Sequence, residues 1–199
     1  MSRGARVLAL DGSREPIDLR LIGTLGANVK YVHLPKSIEA RFEYAHAELK
    51  TPYIMLLGDD DMALPSGVAS CISTLESDQE LVACSGRCLM FEWYRDKILG
   101  RPGYLEMENY RLIGDSPTDR LVHHLGRYTS STVYGVVRTD VWKDAISSYL
   151  LSSLPRNLGF ELFLEGNIAL LGKSLVIPEL VWMRSSENPT HQLVEGESN

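Results

Sequence analysis

The sequence predicts an α/β fold, with a mostly parallel central sheet flanked by helices. Two short apolar runs, in "RVLALDGS" and "YIMLLGDDD", end in acidic, glycine-containing turns. Segments of helical period follow each, and the order strand, helix, strand, helix calls for parallel neighbours joined by helical crossovers.

Each element has a local cause. Val7, Leu8, Ala9 and Leu10 form a buried strand ending at Asp11, where Asp-Gly-Ser makes a turn and Gly12 tolerates positive φ. After the short apolar segment "VKYVHLP", Ser37 caps a helix whose residues Ile38, Phe42, Ala45 and Leu49 fall on one face. "TPY" breaks that helix, and "YIMLL", apolar on both faces, suits a central parallel strand. Pro65 opens the next helix, with Val68, Ile72 and Leu75 inward.

"LVACSGRCLMF" reads as one bent strand or two, and residues 92–127, polar and weakly periodic, as loops and short helices. "STVYGVVR" returns to strand character, and Thr139–Asp140 starts a helix carrying Val141, Trp142, Ala145 and Ile146. In the last helix Phe160, Leu164, Ile168 and Leu171 share a stripe, Gly172 stands as the C-terminal cap, and the strand "SLVIPELVWMR" follows.

The chain has 199 residues, 44% of them hydrophobic, enough for one core, so a single domain over residues 1–199 with a partly mobile tail at 185–199 is expected. A net charge of −6 argues against a nucleic-acid partner. Cys71, Cys84 and Cys88 lack zinc-site spacing and read as buried, reduced thiols of a cytoplasmic protein. No apolar stretch approaches the roughly 20 residues of a membrane span, which leaves peripheral membrane association open.

The chemistry concentrates at "GDDD". In open α/β sheets ligands bind beyond the carboxyl ends of the strands, where Asp59, Asp60 and Asp61 would stand. If that segment is extended, Asp59 and Asp61 point one way and Asp60 the other, offering two carboxylates to a hard cation such as Mg²⁺ or Mn²⁺. The other reading of the three acids is a solvated turn held by side-chain to backbone hydrogen bonds.

Residues 37–75 resemble the core of the family 2-like glycosyltransferases of GT-A fold: "EARFEYAHAELKTPYIMLLGDDDMALPSGV" has a helix with an Ala-Arg core, a break, an apolar strand, an acidic DxD and a Pro-led helix, in the family's order. "LALDGS" is similar to the family's second strand, and "GFELFLEGNIALLGKSLVIPELV" to its late acidic helix and last strand. The resemblance spans most of residues 6–184. It implies a GT-A-like fold and an inverting, metal-dependent glycosyltransferase that moves a sugar from a UDP- or GDP-sugar to an acceptor hydroxyl.

The resemblance also implies roles. Glu161, eleven residues before Gly172, takes the place of the general base. Asp11, Arg41, Asp59 and Asp60 would contact the nucleotide sugar. Asp59, Asp61 and His191 would hold Mn²⁺ or Mg²⁺. Each has a plainer reading beside it: Asp11 a turn residue, Arg41 a solvent-facing side chain, Glu161 an ordinary first-turn acid, His191 a surface histidine. His123 and His124 diverge by about 100° on a helix and read as surface or acceptor-site residues. Trp93, Tyr94, Tyr104, Tyr110 and Tyr128 either stack on an acceptor sugar or pack a loop-rich layer.

Two departures qualify the resemblance. The family's first strand is missing before "RVLALDGS", so the expected fold is N-terminally shortened, its nucleotide contacts are incomplete, and an exposed sheet edge would invite homo-oligomers. The QxxRW motif is absent, Trp182 and Arg184 standing in "LVWMRSS" without the Gln, which argues against processive polymer synthesis. The competing readings are an inactive GT-A-like domain that binds a nucleotide sugar or a protein partner, and a metal-dependent phosphotransfer or phosphatase domain.

Overall fold

The computed structural model describes residues 4–152 and 159–187. The chain divides into two compact units, Met1–Lys50 and Thr51–Asn199.

The first unit is a strand–helix–strand–helix run: β1 (Val7–Asp11), α1 (Leu19–Ile22), β2 (Val29–His33) and α2 (Ile38–Glu48). β1 and β2 pair in parallel from Val7↔Val29 to Asp11↔His33, as the sequence order predicts. Ser37 caps α2, its side chain accepting from Ala40 N at 3.4 Å, and Phe42 and Ala45 are buried.

The second unit holds β3 (Tyr53–Met55), β4 (Met62–Ala63), α3 (Pro65–Ser77), β5 (Leu81–Tyr94), β6 (Lys97–Gly103), a 3₁₀ turn at Leu105–Met107, β7 (Arg111–Leu112), α4 (Pro117–Gly126), β8 (Val136–Arg138), α5 (Thr139–Leu151), α6 (Phe160–Leu171) and β9 (Lys173–Ser185). Its seven-stranded sheet runs β3-β8-β5-β9-β4, with β6 beside β5 and β7 beside β9. β5 and β9 are parallel, whereas β3–β8, β5–β8, β4–β9, β5–β6 and β7–β9 are antiparallel. The sheet is therefore mixed, not mostly parallel. β3, expected in the centre, ends the strand order and meets β8 antiparallel, because an all-apolar run reports burial on both faces and says nothing of strand direction.

Residues 92–127 also depart from the expected loops. A turn at Arg95–Asp96 returns the chain as β6, with Arg95 at φ 57°, and α4 follows with Ser116 as its cap, accepting from Asp119 N. β6 is solvent-exposed along nearly its whole length, so it carries no apolar alternation to read. β5 is one long strand with register shifts against β9, where Pro178 lies between the paired Ile177 and Leu180.

Leu75, Cys71, Leu81, Cys84, Cys88, Val136, Val181 and Trp182 form the buried core between α3 and the sheet. Complete burial of Leu75 alone contributes about 1.5–3 kcal/mol. Two arginines, Arg120 buried and Arg138 half-buried, close helix ends. Arg138 donates to Leu75 O (2.6 Å) at the end of α3, and Arg120 donates to Ala169 O (2.8 Å) and Leu170 O (2.9 Å) at the end of α6. Gly172 is the C-cap of α6, as expected, its N–H donating to Ile168 O at 3.1 Å from extended backbone. A Cβ there would collide with Val82, so close packing requires the glycine. The three cysteines are buried and free.

Candidate functional site

In the first unit, β1 ends at a polar knot. The Asp11 carboxylate accepts from Ser13 N (2.8 Å), Ser13 Oγ (2.5 Å) and Tyr31 Oη. The Ser13 hydroxyl first, then Tyr31, hold its carboxyl down at about 2. Arg41 of α2 lies against the turn. Gly12 is not at positive φ, and a Cβ there would strike the Arg41 guanidinium, so the glycine serves close approach instead. Arg41 Nε is buried without a hydrogen-bond partner.

In the second unit the acids are not extended. Residues 59–60 form a turn, and Asp61 N donates to Gly58 O at 3.3 Å, so the alternating projection of Asp59, Asp60 and Asp61 does not apply. Asp59 is exposed; Asp60 and Asp61 are half-buried. Asp61 Oδ1 accepts from Ser185 N at the end of β9, 3.2 Å away. Burial first, and the charges of Asp60 and Asp59, push the Asp61 carboxyl above its ordinary value, while Arg184 pulls it down. The same burial, with Asp61 beside it, pushes the Cys88 thiol up to about 12, so this thiol is inert.

Arg184 lies between two rings, its Cζ 5.7 Å from the Tyr104 centroid and 5.6 Å from that of Tyr134, and its guanidinium donates to Tyr104 Oη. Tyr134 stacks on fully buried Trp182 with centroids 4.8 Å apart. Tyr104, a non-glycine residue at φ 50°, packs on Trp182 at 5.6 Å. Tyr134 Oη donates to Glu161 Oε1 at 2.8 Å. Burial and then the Glu161 charge drive the Tyr134 phenol well above the tyrosine range, and Asp61 adds to the shift.

One turn further along α6, Glu165 is buried. Its Oε1 accepts from Thr132 N (2.8 Å) and Val133 N (3.0 Å), and its Oε2 lies 3.6 Å from Nε2 of His124. His124 Nδ1 stands 2.7 Å from Tyr110 Oη. His124 is thus a core residue, not a surface or acceptor-site one, while His123 on the next helix position is exposed.

The structure therefore gathers Asp61 and Glu161 around Tyr134, Trp182 and Arg184. Asp59 stands on the same turn as Asp61, Arg41 lies against Gly12, next to Asp11, in the first unit, and His191 lies outside the described residues. Among the described residues no group of three His, Cys, Asp or Glu side chains is arranged to hold a metal ion. None of the helices described is long and apolar enough to cross a membrane. Tyr134 and Arg184 were not singled out as site residues from sequence. One signal was available: Trp182 and Arg184 are two apart in a strand and so share a face.

This is a glycosyltransferase-like fold. The chain is similar to the crystal structure of S. aureus TarS 1-349, a glycosyltransferase, with a TM-score of 0.62 and 14% sequence identity over 91% of this chain. It spans 51% of that TarS chain. No family model and no curated protein sequence matches it.

Proposed function

We propose that this protein is an inverting glycosyltransferase that moves a sugar from a nucleoside-diphosphate donor to an acceptor hydroxyl. One observation carries the reading. A half-buried acid at a strand end, Asp61, and an acid in the first turn of a helix, Glu161, meet around one tyrosine in a glycosyltransferase-like fold.

The two acids suit opposite ends of a displacement. Glu161 accepts the acceptor's proton as its oxygen attacks, a contribution of typically 10²–10⁴-fold. On the other side the departing diphosphate gathers negative charge, and the Arg184 guanidinium, fixed by two aromatic faces, presents positive charge beside Asp61. Asp59 and Asp60 would add donor contacts; within the first unit by itself, the Asp11 turn with Arg41 of α2 against Gly12 is the candidate for a nucleoside contact.

The acids also suit a hard cation. A carboxyl pushed up by burial first, and then by Asp60 and Asp59, is one whose ionised form positive charge would favour, and Mg²⁺ or Mn²⁺ commonly takes one or two carboxylates with substrate phosphates, which needs no cluster of three side chains. Asp61 and Asp59 would hold it, with His191 as the third candidate. Such a cation supplies Lewis-acid stabilisation of the leaving diphosphate.

The test is product formation from UDP- and GDP-sugars with Mn²⁺, with the anomeric configuration of the product determined. Inverted product is expected. Retained configuration contradicts the mechanism, and nucleotide binding without any turnover identifies an inactive binding domain.

A further inference from the structure

We infer that Tyr134 is a positioning residue for the reaction, its hydroxyl fixing Glu161 through Oε1 so that Oε2 faces the acceptor hydroxyl; this rests on the glycosyltransferase reading of Glu161. The hydrogen bond is 2.8 Å long, and the tyrosine that donates it is held on every side. Its ring stacks at 26° on Trp182, itself fully buried, and carries the Arg184 guanidinium over it.

The backbone leading to Tyr134 is fixed as well. The N–H groups of Thr132 and Val133 both donate to the buried Glu165 carboxylate. Gly135 N donates to Thr132 O at 3.0 Å, and a Cβ on Gly135 would come within 3.0 Å of Cys84 O. Glu161 and Glu165 are four residues apart, on one side of α6. One carboxylate thus grips the backbone of residues 132–133, and the other receives the side chain two residues on. Two latches between the same helix and the same segment leave the phenol no freedom to follow a wandering carboxylate, so the carboxylate follows the phenol.

The chemistry is consistent. A phenol whose titration is pushed well above the ordinary range remains a donor throughout the working pH, and cannot itself compete for the acceptor's proton. The charged and titratable groups around the pair are Asp61, Glu165, Tyr128 and Arg184, and Tyr104 holds Arg184 in turn. Arg184 lies over the Tyr134 ring, 5.6 Å from its centroid, and the charges of both Arg184 and Glu161 reach the neighbourhood of Asp61 and Tyr134.

The test is Tyr134→Phe, which keeps the stacked ring and removes only the hydroxyl. Expected is a fall in kcat of roughly 10- to 100-fold, the scale of a misplaced reacting group, with donor KM unchanged. Replacing Tyr134 by 4-aminophenylalanine, which restores a donor at the same reach, restores most of the rate; a ring that only fills space would not distinguish the two variants. An activity-independent reading is the ¹³C resonance of the Glu161 side-chain carboxyl at neutral pH, assigned with Glu161→Gln and expected to move in Tyr134→Phe. An unmoved resonance, or a fall in kcat that 4-aminophenylalanine does not rescue, overturns the positioning role. A moved resonance in a protein that turns over no nucleotide sugar supports the Tyr134–Glu161 pairing and overturns the glycosyltransferase reading instead.

Discussion

Asp11, the last residue of β1, and Asp61, in the turn between β3 and β4, both come after apolar runs, yet they are opposite kinds of acid. Asp11 is saturated by three donors from Ser13 and Tyr31 and held down at about 2. Asp61 accepts from Ser185 N, stands among Asp59 and Asp60, and is pushed up by burial. Asp11 is thus a fixed, ionised fitting whose negative charge is already answered. Asp61 is desolvated, with two acids near it and the charge of Arg184 to offset them, so a further cationic ligand would favour its ionised form. The lesson is that an acid at the end of a strand is a candidate for ligand chemistry when its hydrogen bonds are few, not merely because it is acidic.

The largest test of that difference is catalytic. Glu161→Gln, on the Asp61 side, should lower kcat by roughly 10²–10⁴-fold, whereas Asp11→Asn should act mainly through donor KM. Steady-state kinetics on both variants separates them, and equal losses of kcat would dissolve the contrast.

Next comes the support beneath the Asp61 side. Glu165→Ala leaves two buried N–H groups, of Thr132 and Val133, without their acceptor and should destabilise the protein by about 2–5 kcal/mol, read from urea unfolding. Gly172→Ala forces a methyl group into Val82 and should cost about 1–3 kcal/mol by the same measurement. A cost near zero for Glu165→Ala would mean that residues 132–133 do not depend on α6.

The smallest effect is the most discriminating, because its sign differs between the two acids. Asp11 is lowered from its ordinary 3.8, so its contribution is full above that value and is lost as pH falls toward about 2. Asp61 is raised, so folding favours its protonated form and stability falls as pH rises through the raised value. At pH 7, Asp11→Asn should therefore lower the unfolding midpoint and Asp61→Asn should leave it unchanged or raise it. In Asp11→Asn the loss of stability between pH 4 and 2 should also be shallower. Destabilisation by both substitutions at pH 7 would remove the distinction.

How far the sequence could be read follows the same divide between local and non-local causes. Ser37 capping α2, Pro65 opening α3, Thr139 starting α5 and the apolar stripe of α6 are set by neighbours in the chain, and the structure has all four. Strand direction is set by partners far away, so the antiparallel pairing of β3 with β8 could not be read from "YIMLL". Glu161 and Asp61 stand out by spacing and clustering. Tyr134 acquires its place only when β8, β9 and α6 come together, and His124 looked solvent-facing because no local signal reports the Glu165 carboxylate beside it. Gly12 and Gly172 are legible as glycines with a purpose, and Gly172 is the C-cap expected of it, but the close approach of Arg41 to the one and of Val82 to the other is revealed only by tertiary packing.

The central claim is that the Asp61 turn completes its charge with a cation-bound diphosphate. Calorimetric titration of the protein and of Asp61→Asn with UDP and GDP, each with and without Mn²⁺, tests it most directly. The expected result is metal-dependent binding of one nucleotide by the wild type, weakened at least about tenfold in Asp61→Asn, since even partners that only orient a metal's ligands are worth roughly that much. Binding that ignores Mn²⁺, or that survives Asp61→Asn undiminished, would contradict the claim.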